Sequence, residues 1–239
     1  MNKIEDQLST LRLHGMNQHW KSMLETRNHL ELTLSEGLDL LLQAETQYRE
    51  NRRFLRLQSS ARFRYQASIE ELSYDSARGL NKTLITELAA GNYIKNGESV
   101  LITGATGCGK SFVASALGHQ ACAHGFRVIY YNTQKLMQRM KIARLEGTIV
   151  KTFDKIAKTD LLILDDFGLT NMGQQQQIDL MEIIEDRHAK KATIIASQLP
   201  VASWFDVIGE ATIADAILDR LVHTSHRLEL RGESLRKKL

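Results

Sequence analysis

The sequence predicts an α/β protein, a parallel sheet sandwiched by helices and preceded by a small all-α N-terminal domain. Three observations carry that reading. Short apolar runs alternate with helical patterns from Val100 onward. A glycine-rich loop, Gly104-Ala105-Thr106-Gly107-Cys108-Gly109-Lys110-Ser111, falls between the first such run and a helix. Residues 1 to about 75 hold no proline and few glycines, and their apolar residues recur at helical spacing.

In the N-terminal part that spacing is Leu8, Leu11, Met16 and then Leu34, Leu38, Leu41, Leu42. The longest helix is expected from about Ser35 to Ser60, with Ser35 and Glu36 at its start. The texture changes around Ser73 to Gly79, which gives a helical domain over 1–75 and an α/β domain over 76–239. Strands are expected at Val100–Thr103, Arg127–Asn132, Leu161–Asp165, Thr193–Ser197 and His226–Leu230. Helices are expected at Phe112–Ala123, Thr133–Glu146, Gln174–Lys190 and Ile213–His223, with Gln174 to Gln177 a solvated first turn.

Composition narrows the function classes. No run approaches the roughly 18 apolar residues of a membrane span, and the polar N-terminus has no signal-peptide core, so a cytoplasmic protein without a membrane partner is expected. Two cysteines exclude a zinc site of four Cys/His ligands at finger spacing. Cys108 stands at a variable position of the loop as a filler, and Cys122 shares a helix face with Ala114 and Gly118, as a core residue does. A net charge of +3 argues no partner by itself, so the distribution of charge must be read instead.

The glycine-rich loop matches G-x-x-x-x-G-K-[ST] in full. Its glycines allow backbone N–H groups to curl around a phosphate. Lys110 is placed to reach the β/γ-phosphates and Ser111 to ligate Mg²⁺, while Phe112 opens the helix whose N-terminal dipole faces the anion. The plain alternative is an ordinary strand-to-helix turn, against which the strand–loop–helix frame weighs. A nucleoside triphosphate, ATP with Mg²⁺, is the expected ligand.

Leu161-Leu162-Ile163-Leu164-Asp165-Asp166 reads as a buried parallel strand with carboxylates at its carboxyl end, where open α/β sheets bind ligands. Asp165 is the candidate Mg²⁺ ligand, directly or through water, and Asp166 the group that polarises the attacking water. Gln198, after the strand Thr193–Ser197, either orients a water or contacts the γ-phosphate, or is a plain strand end. Arg220 lies on an amphipathic helix, either as an arginine supplied to a neighbouring subunit's phosphates or as a surface partner of Asp219.

This order of elements resembles the AAA+ ATPases, and more closely the IstB-like family of insertion-sequence ATP-binding proteins, relatives of the DnaC helicase loader. The resemblance rests on Leu11-Arg12-Leu13-His14-Gly15-Met16, Gly104 to Ser111, Leu162 to Gly168, Glu185-Asp186-Arg187-His188, Ala196 to Val201 with Trp204, Ile217 to Leu221, and Gly232-Glu233-Ser234-Leu235-Arg236. It implies Lys110 and Ser111 as nucleotide and Mg²⁺ contacts, Asp165 and Asp166 as the acidic pair, Gln198 as a sensor and Arg220 as a finger acting in trans. Most AAA+ ATPases carry Glu where Asp166 stands; the shorter Asp implies slow hydrolysis suited to a switch. The stretch after Arg220 is short for a full helical lid, so a reduced or absent lid is expected, with Arg236 as substitute for a lid arginine.

Arg49, Arg52, Arg53, Arg56, Arg62 and Arg64 stand against one acid, Glu50, with Tyr48, Phe54, Phe63 and Tyr65 interleaved. On one helix, 49, 52, 53 and 56 form a one-signed stripe that either neutralises DNA phosphates or is a solvated face. A second group, Lys135, Arg139, Lys141 and Arg144, follows the second strand; by the family resemblance this region faces a central DNA channel. Phosphate contacts carry no sequence information, so largely sequence-independent binding to double-stranded DNA is expected. The resemblance further implies a homo-oligomer with ATP sites between subunits and the transposase of the same mobile element as partner. A DnaC-like helicase loader and a small-molecule P-loop kinase are the alternatives. The basic N-terminal part and the acidic pair argue against the kinase.

Overall fold

A computed structural model of the chain describes residues 3–75 and 78–234. Arg236, with the last part of the Gly232–Arg236 motif, lies outside the described residues. Packing divides the chain into Met1–Arg56 and Leu57–Leu239, and the division falls inside a helix rather than at the change of sequence texture near residue 75.

The first unit holds α1 (Lys3–Thr10), α2 (His14–Thr26), a short 3-10 turn and most of α3 (Leu34–Ala61). Little of its apolar content is buried: among the described residues Met16 and Met23 are its buried hydrophobic side chains. Leu34, Leu38 and Leu42 of the predicted stripe are exposed, and Leu11 lies in the exposed turn between α1 and α2. A buried carboxylate of α3 ties it to α2 beside these methionines. The Glu45 carboxylate accepts hydrogen bonds from the backbone N–H of Gly15 (2.7 Å) and Met16 (3.2 Å), which caps the start of α2 from a neighbouring helix. Arg49 Nε donates to the same carboxylate at 2.7 Å. Burial pushes the Glu45 pKa up, but the Arg49 hydrogen bond and the two backbone donors outweigh it and hold it below its ordinary value. The approach is close: a Cβ at Gly15 would lie 2.5 Å from the Ala44 carbonyl. The Leu11–Met16 motif is thus a helix-packing device.

The second unit is built on a five-stranded sheet of β1 (Ser99–Gly104), β2 (Val128–Asn132), β3 (Leu161–Phe167), β4 (Ala192–Ser197) and β5 (Ser225–Leu230), all parallel and ordered β2-β3-β4-β1-β5. Each predicted strand is present within one or two residues of its expected bounds. The central strands are buried on both faces because helices cover both. Leu101, Leu162, Leu164 and Ile195 pack with α7 (Thr133–Leu145), α8 (Ile149–Ala157), α9 (Gln174–Arg187), α10 (Trp204–Ile208) and α11 (Ala211–Val222). The other face meets α6 (Lys110–Ala123), where Gly118 lets the helix come so near that an added Cβ would be 2.9 Å from Ile163 Cδ1. Preceding the sheet are α4 (Lys82–Ala89), capped by the Asn81 side chain, and α5 (Asn92–Asn96).

Arg187 of the Glu185–His188 motif is a structural staple. Its buried guanidinium donates to the carbonyls of Ile156, Thr159 and Ala192 and to Thr193 Oγ1, tying α8 and α9 to β4, and burial pulls its pKa down to about 9. Trp204 is likewise buried, with its indole N–H donated to the Leu199 carbonyl and its ring 4.8 Å from that of Phe167. Both cysteines are buried, and burial pushes the Cys122 thiol up to about 12. Among the described residues no helix is long and apolar enough to cross a membrane.

Residues 57–75 pack with the sheet unit. Phe63 lies against His119 with ring centroids 4.2 Å apart. His119 Nδ1 accepts from Gln58 Nε2 at 2.9 Å, which leaves the Nε2–H tautomer to donate to the Tyr65 carbonyl at 3.1 Å. Arg62, just past the end of α3, has φ +57, and this left-handed turn redirects the chain before Phe63.

The α2–α3 contact generates a test. Replacing Glu45 by Ala should speed hydrogen exchange at the Gly15 and Met16 amides by about fivefold, since a helix cap contributes ~1 kcal/mol. Because pairing holds Glu45 below its ordinary value of 4.5, its contribution is present at neutral pH and is lost as the pH falls through and below that value. The variant should lack this acid-dependent loosening.

Candidate functional site

The carboxyl edge of a parallel sheet gathers the loops that follow its strands. Here β4 lies between β1 and β3, so Gln198 falls between the phosphate loop after β1 and the acidic pair on β3. A cavity of about 250 Å³ at this edge is bounded by Thr106, Gly107, Gly109, Lys110, Ser111, Phe112, Asp166 and Gln198, with Arg64 and Tyr65 on its remaining side.

The loop geometry explains its glycines. Gly104 has φ +145, and a Cβ there would lie 2.2 Å from the Leu230 carbonyl of β5. Gly107 has φ +83, and a Cβ would meet Ser234 Oγ at 2.2 Å. Both positions therefore exclude any side chain. Lys110 opens α6, and its buried ammonium donates to the carbonyls of Gly104 and Ala105 at 2.7 Å each. Cys108 is buried beneath the loop, with Sγ 3.9 Å from the Lys110 ammonium, as a filler would be. Thr106 Oγ1 donates to Gln198 Oε1 at 2.7 Å, joining the loop to the tip of β4. Ser197 Oγ donates to the Phe167 carbonyl and accepts from Leu199 N–H, fixing the strand end from which Gln198 projects.

The acidic pair is shaped by a β-bulge. The β3–β4 pairing shifts between Leu164 and Phe167, and Asp166 adopts φ +56. Asp is among the residues that tolerate this left-handed region best, which gives a backbone reason for Asp rather than a longer acid at this position. The bulge sends the two carboxylates different ways. Asp166 lines the cavity, whereas Asp165 is 1% exposed and lies behind it. Asp165 Oδ2 accepts a short hydrogen bond from the Tyr130 hydroxyl, and Thr133 Oγ1 donates to its carbonyl. Burial first, and then Asp165, push the Tyr130 pKa up, so its hydroxyl stays a donor. Asn132 Nδ2 donates to Asp166 Oδ2 at 2.9 Å.

Arg64 completes the cluster. Its Nη1 donates to Asp166 Oδ2 at 2.9 Å and to Asp165 Oδ2 at 3.3 Å. Burial works against its charge, but Tyr65, Asp166 and Asp165 outweigh this and push its pKa up. Sequence reading placed Arg64 with a basic stretch. No local pattern marks it, because its partners are more than a hundred residues away in the chain. Tyr130 and Asn132 were also missed, although two residues apart on β2 they share a face at the carboxyl edge. Arg78, whose guanidinium donates to the Cys108 carbonyl at 3.4 Å, was the fourth residue missed.

Other expected residues lie elsewhere. Arg220 does not line the cavity of its own chain; its Nε pairs with Glu185 at 2.5 Å and its Nη1 donates to the Ala216 carbonyl. Its partner is therefore Glu185 and not Asp219. The basic group on α7 divides. Lys135 and Arg139, one turn apart, line a second cavity of about 370 Å³ with Arg62, Arg64, Tyr131, Asn132 and Asp166. Arg139 lies over the Tyr131 ring at 5.8 Å. Lys141 is exposed on another face, and Arg144 is ion-paired with the buried Asp179 of α9. On α3, Arg49 is tied to Glu45 and Arg52 lies over Tyr48 at 5.9 Å, while Arg53 and Arg56 are exposed.

The residues present fit a nucleoside triphosphate with Mg²⁺. Gly104, Gly107 and Gly109 hold the loop in a positive-φ conformation that side chains disfavour, and the loop leads into the N-terminus of α6 at the cavity. Ser111 and Asp166 offer a hydroxyl and a carboxylate to the cavity, with the buried Asp165 behind them. Among the described residues no group of three or more His, Cys, Asp and Glu is arranged to hold a metal, so a cation here would share its shell with phosphates and water, as Mg²⁺ does.

Sheet order, phosphate loop and acidic pair together define an AAA+ P-loop fold. Among solved structures, the DnaC helicase loader covers 66% of this chain and 95% of its own at TM-score 0.55 and 21% identity. AMPPCP-bound DnaA from Aquifex aeolicus covers 73% of this chain and 53% of its own at TM-score 0.61 and 22% identity. The chain belongs to the family of IstB-like ATP binding proteins, whose profile matches residues 6–239. It is 40% identical over 232 residues to the insertion sequence ATP-binding protein y4pL of Sinorhizobium fredii, covering 97% of this chain and 95% of that one. It is 29% identical to the insertion sequence IS21 ATP-binding protein of Pseudomonas aeruginosa, covering 100% of this chain and 90% of that one.

The loop geometry predicts that Gly104→Ala weakens binding of a fluorescent ATP analogue by more than about tenfold, because the methyl group must displace β5 or the loop. Fluorescence titration of both proteins measures it.

Proposed function

We propose that this chain is an ATPase that oligomerises on duplex DNA when ATP and Mg²⁺ are bound, and that it prepares this DNA for the transposase of the same mobile element. The observation that carries the reading is the meeting of the nucleotide cavity and a basic, aromatic-lined cleft at Asp166. Insertion-sequence relatives that align over nearly the whole chain favour transposition over helicase loading.

Lys110, Ser111 and the first N–H groups of α6 would hold the β- and γ-phosphates, with Ser111 of the cavity wall as a cation ligand and Asp165, buried behind that wall, as a second one acting directly or through water. Bound Mg²⁺ would supply neutralisation of the phosphate charge. Asp166 accepts a proton from the attacking water as its oxygen bonds to the γ-phosphorus and the bond to the β–γ bridging oxygen breaks, releasing ADP and phosphate. Gln198 reports the state of the loop through Thr106. Arg220, held outside its own site by Glu185, faces the phosphates of a neighbouring subunit and offsets the charge developing there. The short reach of Asp166 and its two hydrogen-bond partners suit slow turnover. Lys135 and Arg139 of the cleft contact DNA phosphates, joined by Lys141 and by the exposed arginines of α3, Arg49, Arg52, Arg53 and Arg56; Arg144, paired with Asp179, contributes least. Contacts of this kind are salt-sensitive and largely indifferent to sequence.

Complementation tests the shared site. Lys110→Ala should lose nucleotide binding, whereas Arg220→Ala should retain it and lose hydrolysis. Mixing the two should restore part of the activity, because an intact loop from one chain then meets an intact arginine from the other. Arg220→Ala protein that hydrolyses ATP like the unmodified chain would remove the shared-site assignment.

A further inference from the structure

Arg64 and Asp166 each line both cavities, the one at the phosphate loop and the basic cleft beside it. On the nucleotide side, Arg64 bridges Asp166 and the buried Asp165. On the cleft side, its neighbours are Arg62, Lys135 and Arg139, with Asp166 as the acid facing them. The backbone around Arg64 is held firmly, since Phe63 packs on His119 and the Tyr65 carbonyl accepts from the same ring. From this anchored backbone extends the long Arg64 side chain, 39% exposed and with rotatable bonds enough to reach either cavity. A guanidinium pairs about equally well with carboxylate and phosphate oxygens, in the same forked geometry. A carboxylate occupied by a guanidinium is a weaker ligand for a divalent cation and a weaker proton acceptor.

We propose that Arg64 couples the cleft to the nucleotide site: a nucleic-acid backbone phosphate held by Arg62, Lys135 and Arg139 draws the Arg64 guanidinium off Asp165 and Asp166, which are then released to serve hydrolysis. The proposal rests on the reading of the acidic pair as ATPase residues and of the cleft as a DNA site. Arg64 is a positioning residue in this scheme. It restrains hydrolysis while the cleft is empty of phosphate and permits it when phosphate arrives. Asn132 stays with Asp166 and Tyr130 with Asp165 throughout, so the carboxylates keep their orientation when the arginine leaves.

The test is steady-state ATP hydrolysis by the full chain, with and without duplex DNA of random sequence, across a Mg²⁺ titration. Arg64→Ala and Arg64→Gln should each raise the DNA-free rate by roughly three- to tenfold. Each should also lower the Mg²⁺ concentration needed for half-maximal rate and remove the further stimulation by DNA. Lys135→Glu with Arg139→Glu should remove DNA stimulation by the other route. DNA stimulation equal to that of the unmodified protein in both Arg64 variants would overturn the coupling alone. So would variants that bind the ATP analogue normally but are inactive with and without DNA, which would make Arg64 a direct contributor to hydrolysis. An unmodified chain with no DNA-stimulated hydrolysis would overturn the coupling too, whereas one that neither hydrolyses ATP nor binds duplex DNA would overturn the underlying functional reading as well.

Discussion

A carboxylate buried at the end of a central strand is the constraint around which the site is organised. Asp165 is almost fully enclosed, and an enclosed charge is costly unless it is paired and hydrogen-bonded. The fold supplies Tyr130 from β2 and Arg64 from the segment after α3, while Asn132 and the same Arg64 serve Asp166. Each of these groups is placed by a separate piece of the architecture. The alternation of β2 puts Tyr130 and Asn132 on one face, the β3 bulge separates the carboxylates, and the ring of His119 anchors the chain on both sides of Arg64. Tyr130 and Asn132 keep a hydrogen bond on each carboxylate when Arg64 is elsewhere, so the arginine is the one partner the cluster can exchange in the proposed coupling.

That arrangement gives the nucleotide loop a second neighbour besides the acidic strand. The phosphate loop is common to kinases, motors and switches, and its geometry here is ordinary for the motif: glycines pressed against β5 and Ser234, and a lysine at the mouth of α6. What distinguishes this site is its shared wall with the basic cleft. A ligand charge arriving in either cavity is felt by the same arginine and the same aspartate. The proposed coupling between ATP hydrolysis and the cleft therefore needs only electrostatics over a few ångströms and no long-range rearrangement.

Much of this was readable from the chain, and the parts that were not have physical reasons. The five strands were marked by continuous apolar runs, because a parallel sheet covered on both faces has no polar face to blur the pattern. The phosphate loop and the place of the acidic pair on a buried strand were legible because they are written in contiguous residues, although only Asp166 of the pair lines the cavity. The role of Arg64 was not, because it depends on a left-handed turn at Arg62 and a contact with Asp166, 102 residues further along the chain. The Asp165–Asp166 bulge was equally hidden, since a shift in strand register leaves no composition signal. The motif residues Gly15 and Arg187 were visible, but their work is packing: one admits a neighbouring helix, the other satisfies carbonyls where helices meet β4. The group Lys135 to Arg144 looked uniform as a string, yet helical geometry sends Lys135 and Arg139 into the cleft and Arg144 to Asp179.

The central claim is that nucleotide at Gly104–Ser111 governs assembly on DNA. Sedimentation velocity of the full chain, with and without ATP and Mg²⁺ and with and without duplex DNA, addresses it most directly. The account predicts a large DNA-bound species only when nucleotide and DNA are both present, shrinking as salt is raised. A sedimentation profile on DNA that is the same with and without nucleotide would contradict it.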